Sequence, residues 1–300
     1  MNTLTLGYSP CPNDTFIFYA LTHGRIPSDF AVREILEDVE TLNARAMTGR
    51  PASTGRPAST GDTSANAGMP AAGEMLDLTK ISFHAAAYLL DNYCLLRSGG
   101  ALGRGCGPLV VSRDYSNIDD IRGRSIAIPG RYTTAQLLLM LYGRGFEDVR
   151  IMQFDRIMPA VASGEVDAGL IIHEGRFTYQ NYGLKKLLDL GEWWEKETGS
   201  PIPLGCILAK RSLGKDTVMA VEDAIRRSII YARENRAECT GYIKAHAQEM
   251  EDSVIDGHIS LYVNSFSDDF GGEGVRAIEK LFSLASEAGV IPAKRPPLFF

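Results

Sequence analysis

The sequence predicts an α/β protein of two lobes that close on a ligand as a clamshell, with a helical C-terminal third. Three observations lead there. Short apolar strands alternate with helix-period segments over the first two thirds of the 300 residues, which is the grammar of parallel sheets flanked by helices. That grammar restarts near residue 119, so two sheets are expected rather than one. The last third carries helix-period patterns alone. A chain of this length has ample core for two lobes.

The elements follow in order. Residues 3–8 alternate as a strand. Ser9-Pro10-Cys11-Pro12-Asn13-Asp14 is a rigid loop, with Asn13 or Asp14 placed to cap a helix that Gly24 ends. Residues 31–36 read as a strand and 39–47 as a helix. Gly-Arg-Pro-Ala-Ser-Thr at 49–54 recurs letter for letter at 55–60. So much Pro, Gly, Ser and Thr cannot bury a core, so 48–74 is expected to be a disordered surface insertion. Residues 76–81 resume as a strand, and Ser82 is placed to cap a helix through Tyr93. Strands at 94–98 and 108–112 flank a glycine-rich stretch. Its glycines imply positive φ or close backbone approach, and their spacing is not a phosphate-binding fingerprint.

The second sheet is expected to be parallel, with strands at 125–128, 149–154 and 166–172. Thr133 or Thr134 starts a helix to Gly143, and a helix at 157–163 stops at Gly164. A short aromatic helix or loop (176–182), a strand (187–190), a helix (192–198) and a strand (202–209) follow. Helices at 216–234, 237–247, 254–266 and 274–288 complete the chain. The expected large lobe is 1–112 plus 205–300, and the small lobe is 113–204, with crossovers near 108–112 and 204–209.

Composition excludes several classes. The formal charge is −6 with no long Lys/Arg cluster, which argues against nucleic acid. No apolar run is long enough to span a bilayer. The five cysteines are scattered, without metal-ligand or Cys-x-x-Cys spacing, so neither a zinc site nor a disulfide framework is indicated. The N-terminus lacks the basic and apolar regions of a secretory signal, which makes the cytoplasm the expected compartment. Monomer and dimer are both compatible.

The candidate site follows from strand ends, where ligands of open α/β sheets sit. Gly169-Leu170-Ile171-Ile172 is a doubly buried strand pattern that ends in His173 and Glu174. A histidine there is placed for proton transfer. Asn13 and Asp14 lie at a strand–helix junction, and Thr133 and Thr134 at a helix start whose N–H groups and hydroxyls suit a carboxylate. Lys80 and Arg104 can supply positive charge. His23, His84, His246 and His258 lie on helical segments and read as surface or packing residues, His84 being the one kept as a supporting group. Cys11 reads as a small buried residue.

Several stretches together carry a resemblance. They are Ser9-Pro10-Cys11-Pro12-Asn13-Asp14-Thr15-Phe16, Glu37-Asp38-Val39-Glu40-Thr41-Leu42-Asn43, Thr79-Lys80-Ile81-Ser82, Gly107-Pro108-Leu109-Val110-Val111, Pro129-Gly130 with Thr133-Thr134-Ala135, and Ile171-Ile172-His173-Glu174. The chain resembles the 1,4-dihydroxy-6-naphthoate synthase family of the futalosine route to menaquinone, a type II periplasmic-binding-protein-like enzyme family. It is more distantly similar to the sister family that dehydrates chorismate, and the Ser9–Phe16 run favours the synthases. The resemblance implies a carbon–carbon lyase acting on the carboxylic acid cyclic dehypoxanthinylfutalosine, to give 1,4-dihydroxy-6-naphthoate and dihydroxyacetone without metal or organic cofactor. It further implies His173 as general base, with Lys80, Ile81, Ser82, Thr134 and Ala135 lining the substrate site. A solute receptor without catalysis is the alternative of another class.

Overall fold

The computed structural model describes residues 2–48, 75–247, 251–293 and 295–300. The expected insertion lies outside the described residues except for Thr48. Strand β1 (Asn2–Tyr8) leads to helix α1 (Pro12–Thr22), then β2 (Phe30–Leu36), α2 (Val39–Thr48), β3 (Leu78–Ser82), α3 (Phe83–Ala86), β4 (Tyr93–Leu95) and β5 (Ala101–Gly103). The second sheet brings β6 (Leu109–Ser112), β7 (Ile126–Ile128), α4 (Thr134–Tyr142), β8 (Val149–Ile151), α5 (Phe154–Ser163), β9 (Ala168–Ile171), α6 (Gly175–Thr178) and β10 (Lys185–Asp189). Helix α7 (Leu190–Thr198) and strand β11 (Ile202–Lys210) return the chain to the first sheet. Helices α8 (Lys215–Glu234), α9 (Arg236–His246), α10 (Asp252–Tyr262), α11 (Ser265–Asp268) and α12 (Gly271–Glu287) follow.

The first sheet has the order β2-β1-β3-β11-β4, with β5 also paired to β11. Strands β1, β2 and β3 run parallel, and β11 runs antiparallel to its three neighbours. The second sheet has the order β10-β6-β9-β7-β8. It is mixed rather than parallel, because β6 pairs antiparallel with both β9 and β10. Leu109–Ser112, expected in the first lobe, therefore belongs to the second sheet. Its apolar run is buried on both sides and would suit a central strand of either sheet.

Most elements form where the periodicity placed them. Val218, Val221, Ala224, Ile225 and Ile229 are the buried face of α8. The helix after Ser82 departs most, since only Phe83–Ala86 is α-helical. The strand expected at 149–154 ends at Ile151, the helix expected at 254–266 breaks after Tyr262, and Ala101–Gly103 is a strand the periodicity did not place. Ser82 occupies the N-cap geometry, but its side chain makes no cap bond. It is held instead by Asn43.

One buried cluster runs through both sheets, joining Ile81 and Leu208 of the first to Ile126 and Leu170 of the second. A second packs α1, α8, α9 and α10 behind the first sheet, and a third packs α5 against the second. Among the described residues no helix is long and apolar enough to cross a membrane.

Candidate active site

The site begins at the end of β1. Pro12 takes the first helical position of α1, where its fixed φ and missing N–H cost nothing. Cys11 is thus the N-cap residue, and its carbonyl accepts the N–H groups of Asp14 and Thr15 at 3.1 and 3.0 Å. Asn13 and Asp14, expected to cap, lie inside the first turn, and both are buried. A carboxylate is favoured there by the helix dipole. Asp14 also accepts from the Ser9 N–H at 3.3 Å and from Asn13 Nδ2 at 2.6 Å.

Lys80 on β3 meets the Asp14 carboxylate in an ion pair with both side chains buried. Among the described residues its ammonium has no hydrogen-bond partner beyond this ion pair, so its remaining donors are available to a ligand. Beyond it, Ser82 donates its N–H to Asn43 Oδ1 at 3.0 Å, and Asn43 Nδ2 reaches both Ser82 Oγ and Glu40 Oε2. Glu40 Oε1 accepts the N–H groups of Arg131 and Tyr132, at 2.7 and 3.4 Å, from the loop before α4. Burial pushes the Glu40 carboxyl upward, and these hydrogen bonds oppose it.

Thr133 is the N-cap of α4 and accepts from the Gln136 N–H at 3.3 Å, as expected. Both threonine hydroxyls are already engaged. Thr133 donates to Gly130 O at 2.9 Å, and Thr134 donates to Leu204 O at 2.6 Å. What this helix start can offer a ligand is chiefly the N–H groups of its first turn, which lack intrahelical acceptors. His84 supports it through Nδ1, 3.2 Å from Thr133 O. Burial lowers the pKa of His84 to about 4.

On the opposite wall, β9 ends two residues before His173. His173 has φ of 53°, and it is the one non-glycine residue at positive φ among those described. Its Nε2 is buried without a partner among the described residues. The Phe154 ring lies 5.0 Å away and the His258 ring 6.2 Å away. Glu174 is buried, and neither carboxylate oxygen has a hydrogen-bond partner among the described residues. Arg176 is anchored by Nη1 to Gly107 O and by Nη2 to Asp189 Oδ2, each at 2.7 Å. Gly107 must be glycine, since a Cβ there would meet Gly191 N at 2.2 Å.

Many of these groups line one cavity between the sheets, with about 750 Å³ of empty space including its mouth. That is room for a compact bicyclic acid. Asn13, Asp14, Lys80, Ile81, Ser82, Thr133, Thr134, Ala135 and His173 all border it. Arg104 does not. It lies 48% exposed, bound to Glu273 at 3.0 Å and to Gly199 O at 3.1 Å. The acidic groups of α7 and α12 draw it outward, and Arg176 is the arginine that borders the cavity. Sequence reasoning also missed His258 and Tyr262, which reach the cavity from α10. Their spacing of four residues places them on one helix face, but the same face carries Ile255 and Ile259 and so reads as packing. Cys106 borders the cavity, and Cys11 donates its thiol to Asn13 Oδ1 at 3.0 Å behind that wall, both buried. Burial raises the Cys106 thiol to about 12 and holds that of Cys11 well above the usual range. Among the described residues no three His, Cys, Asp or Glu side chains are grouped to hold a metal.

Two α/β sheets walling a ligand-sized cavity define a periplasmic-binding-protein-like clamshell, here with titratable groups in its cleft. Among solved structures, a protein from Archaeoglobus fulgidus matches with a TM-score of 0.83 and 36% identity, covering 96% of this chain and 98% of that one. The alkanesulfonate-binding protein of Xanthomonas axonopodis pv. citri, bound to MOPS, matches with a TM-score of 0.68 at 13% identity, covering 98% and 96%. That likeness concerns the fold alone. Residues 4–53 and 65–287 match the family described as menaquinone biosynthesis. The 1,4-dihydroxy-6-naphtoate synthase of Thermus thermophilus is 50% identical over the whole of both chains, and that of Streptomyces coelicolor is 45% identical over 98% of this chain and 97% of its own. The chain belongs to the menaquinone-biosynthesis family.

Proposed function

We propose that the protein is a carbon–carbon lyase that converts cyclic dehypoxanthinylfutalosine to 1,4-dihydroxy-6-naphthoate and dihydroxyacetone, with His173 as general base. The observation that carries this reading is His173 itself. A left-handed backbone angle holds it at a strand end, where it borders the cavity and its Nε2 has no partner among the described residues. Left-handed φ at a non-glycine residue costs energy and is concentrated at functional sites.

The chemistry suits the groups present. A retro-aldol-like cleavage starts with loss of a hydroxyl proton to the imidazole. The O–H electrons form a carbonyl as the adjacent carbon–carbon bond breaks, and the bond pair leaves with the other carbon. The imidazolium then returns the proton to the products, and aromatisation drives the sequence forward. Lys80, Arg176 and the first-turn N–H groups of α4 supply positive potential for a carboxylate. Withdrawal from water strengthens each of these interactions.

The test is to mix purified protein with cyclic dehypoxanthinylfutalosine and follow the naphthoate by absorbance and mass. Binding without product would overturn the lyase reading and favour a solute receptor.

A further inference from the structure

His258 stands on α10, within the C-terminal helical third, and is 1% exposed. Its ring lies edge-on to Tyr262 one turn later, with centroids 4.7 Å apart, and 6.5 Å from Phe177, just after β9 in the second sheet. It borders the same cavity as His173 and faces that ring at 6.2 Å, nearly perpendicular. No hydrogen bond joins the two rings. Each holds one buried nitrogen without a partner among the described residues, Nε2 on His173 and Nδ1 on His258.

A histidine that serves packing alone ordinarily has its ring nitrogens satisfied by backbone, side chain or water. Here the two residues that hold these nitrogens border one cavity, His173 from the second sheet and His258 from a helix packed on the first. An oxygen-rich ligand held in that cavity would be the partner that both lack.

We propose that His258 is a substrate-binding residue of this cavity, forming a hydrogen bond to a hydroxyl or carbonyl oxygen of the bound substrate opposite His173. The proposal rests on the reading of the cavity as the reaction site. Burial, reinforced by His173 and Lys80, holds the His258 pKa well below the usual histidine range. It therefore acts as a neutral imidazole. A neutral donor steadies an oxygen that gains negative charge without placing a full positive charge beside the base. It also divides the labour of recognition. Lys80 and Arg176 provide charge for a carboxylate, and His258 reads the uncharged oxygens.

The test compares wild type, His258→Leu and His258→Asn for turnover of cyclic dehypoxanthinylfutalosine, affinity for 1,4-dihydroxy-6-naphthoate and unfolding midpoint. Leucine fills much of the ring's volume without a nitrogen. It should lower kcat/KM about ten- to hundredfold and leave the midpoint unchanged or raised, because a buried unpaired nitrogen is removed. Asparagine, whose amide nitrogen can sit near Nδ1, should recover most of the loss. Wild-type kinetics in an active His258→Leu protein would overturn the proposal, and so would a lowered midpoint with unchanged kinetics. If wild type binds the naphthoate yet forms no product, the lyase reading fails on its own. Affinity then decides for His258: about tenfold weaker binding by His258→Leu supports the contact, and equal affinity overturns it.

Discussion

Glu40 of α2 accepts the backbone N–H of Arg131 at 2.7 Å, so a side chain on the first sheet's side holds the loop that starts α4 on the second. The same carboxylate accepts from Asn43, which in turn fixes the Ser82 N–H and hydroxyl. One chain of hydrogen bonds thus sets the distance between two walls of the cavity.

Gly130→Ala tests that chain. A Cβ at Gly130 would lie 2.3 Å from the Glu40 carboxylate, and the side chain must leave its place. The fold should survive, since only one side chain has to move. Steady-state kinetics should show kcat/KM reduced about ten- to hundredfold, the penalty of misplacing a binding wall. Unchanged kinetics would mean that the chain does not position the site.

His173→Ala should retain affinity for 1,4-dihydroxy-6-naphthoate and lose turnover by about 10²- to 10⁴-fold, the usual contribution of a general base. Turnover close to wild type would assign the base to another group.

The buried pair of Lys80 and Asp14 predicts an asymmetric response. Lys80→Met leaves the Asp14 carboxylate buried without its counter-charge, which should cost about 3–5 kcal/mol in urea unfolding. Replacing Asp14 by Leu in the same protein should restore much of that loss, although substrate affinity would stay low. A single variant as stable as wild type would show that the pair is well hydrated.

His84 predicts a pH dependence of stability. Its folded pKa, about 4, lies below the ordinary histidine value of 6.5, so the unfolded chain binds more protons between these values. The stability His84 contributes is present above about pH 6.5 and is lost as pH falls towards 4, by about 3 kcal/mol in all. His84→Asn keeps a donor for Thr133 O and does not titrate. Its unfolding midpoint should fall less between pH 7 and pH 4.5 than that of wild type. Parallel curves would place the acid sensitivity elsewhere.

The groups on strand ends were the legible part of the site. An apolar run ending in a histidine declares both the strand and its open end, and all four residues of β9 are buried as that pattern requires. Thr133 at the start of α4 was legible for the same local reason. Tertiary contacts decide the rest. Arg104 and Arg176 both follow glycine, and only the placement of Glu195 and Glu273 shows which one faces outward. His258 shares a helix face with isoleucines, so periodicity assigns it to packing until α10 is seen against the cavity. Leu109–Ser112 would satisfy a central strand in either sheet, and pairing partners are a long-range property.

All five cysteines are free and buried. The native protein is therefore a silent surface for thiol reagents, and reaction requires the structure to open. Cys106 stands at the cavity, whereas Cys94 and Cys239 lie in the packing behind the first sheet. The labelling rates of these two groups are separate clocks, one for parting of the cleft and one for loss of the core. A ligand that clasps both walls should slow the first clock far more than the second.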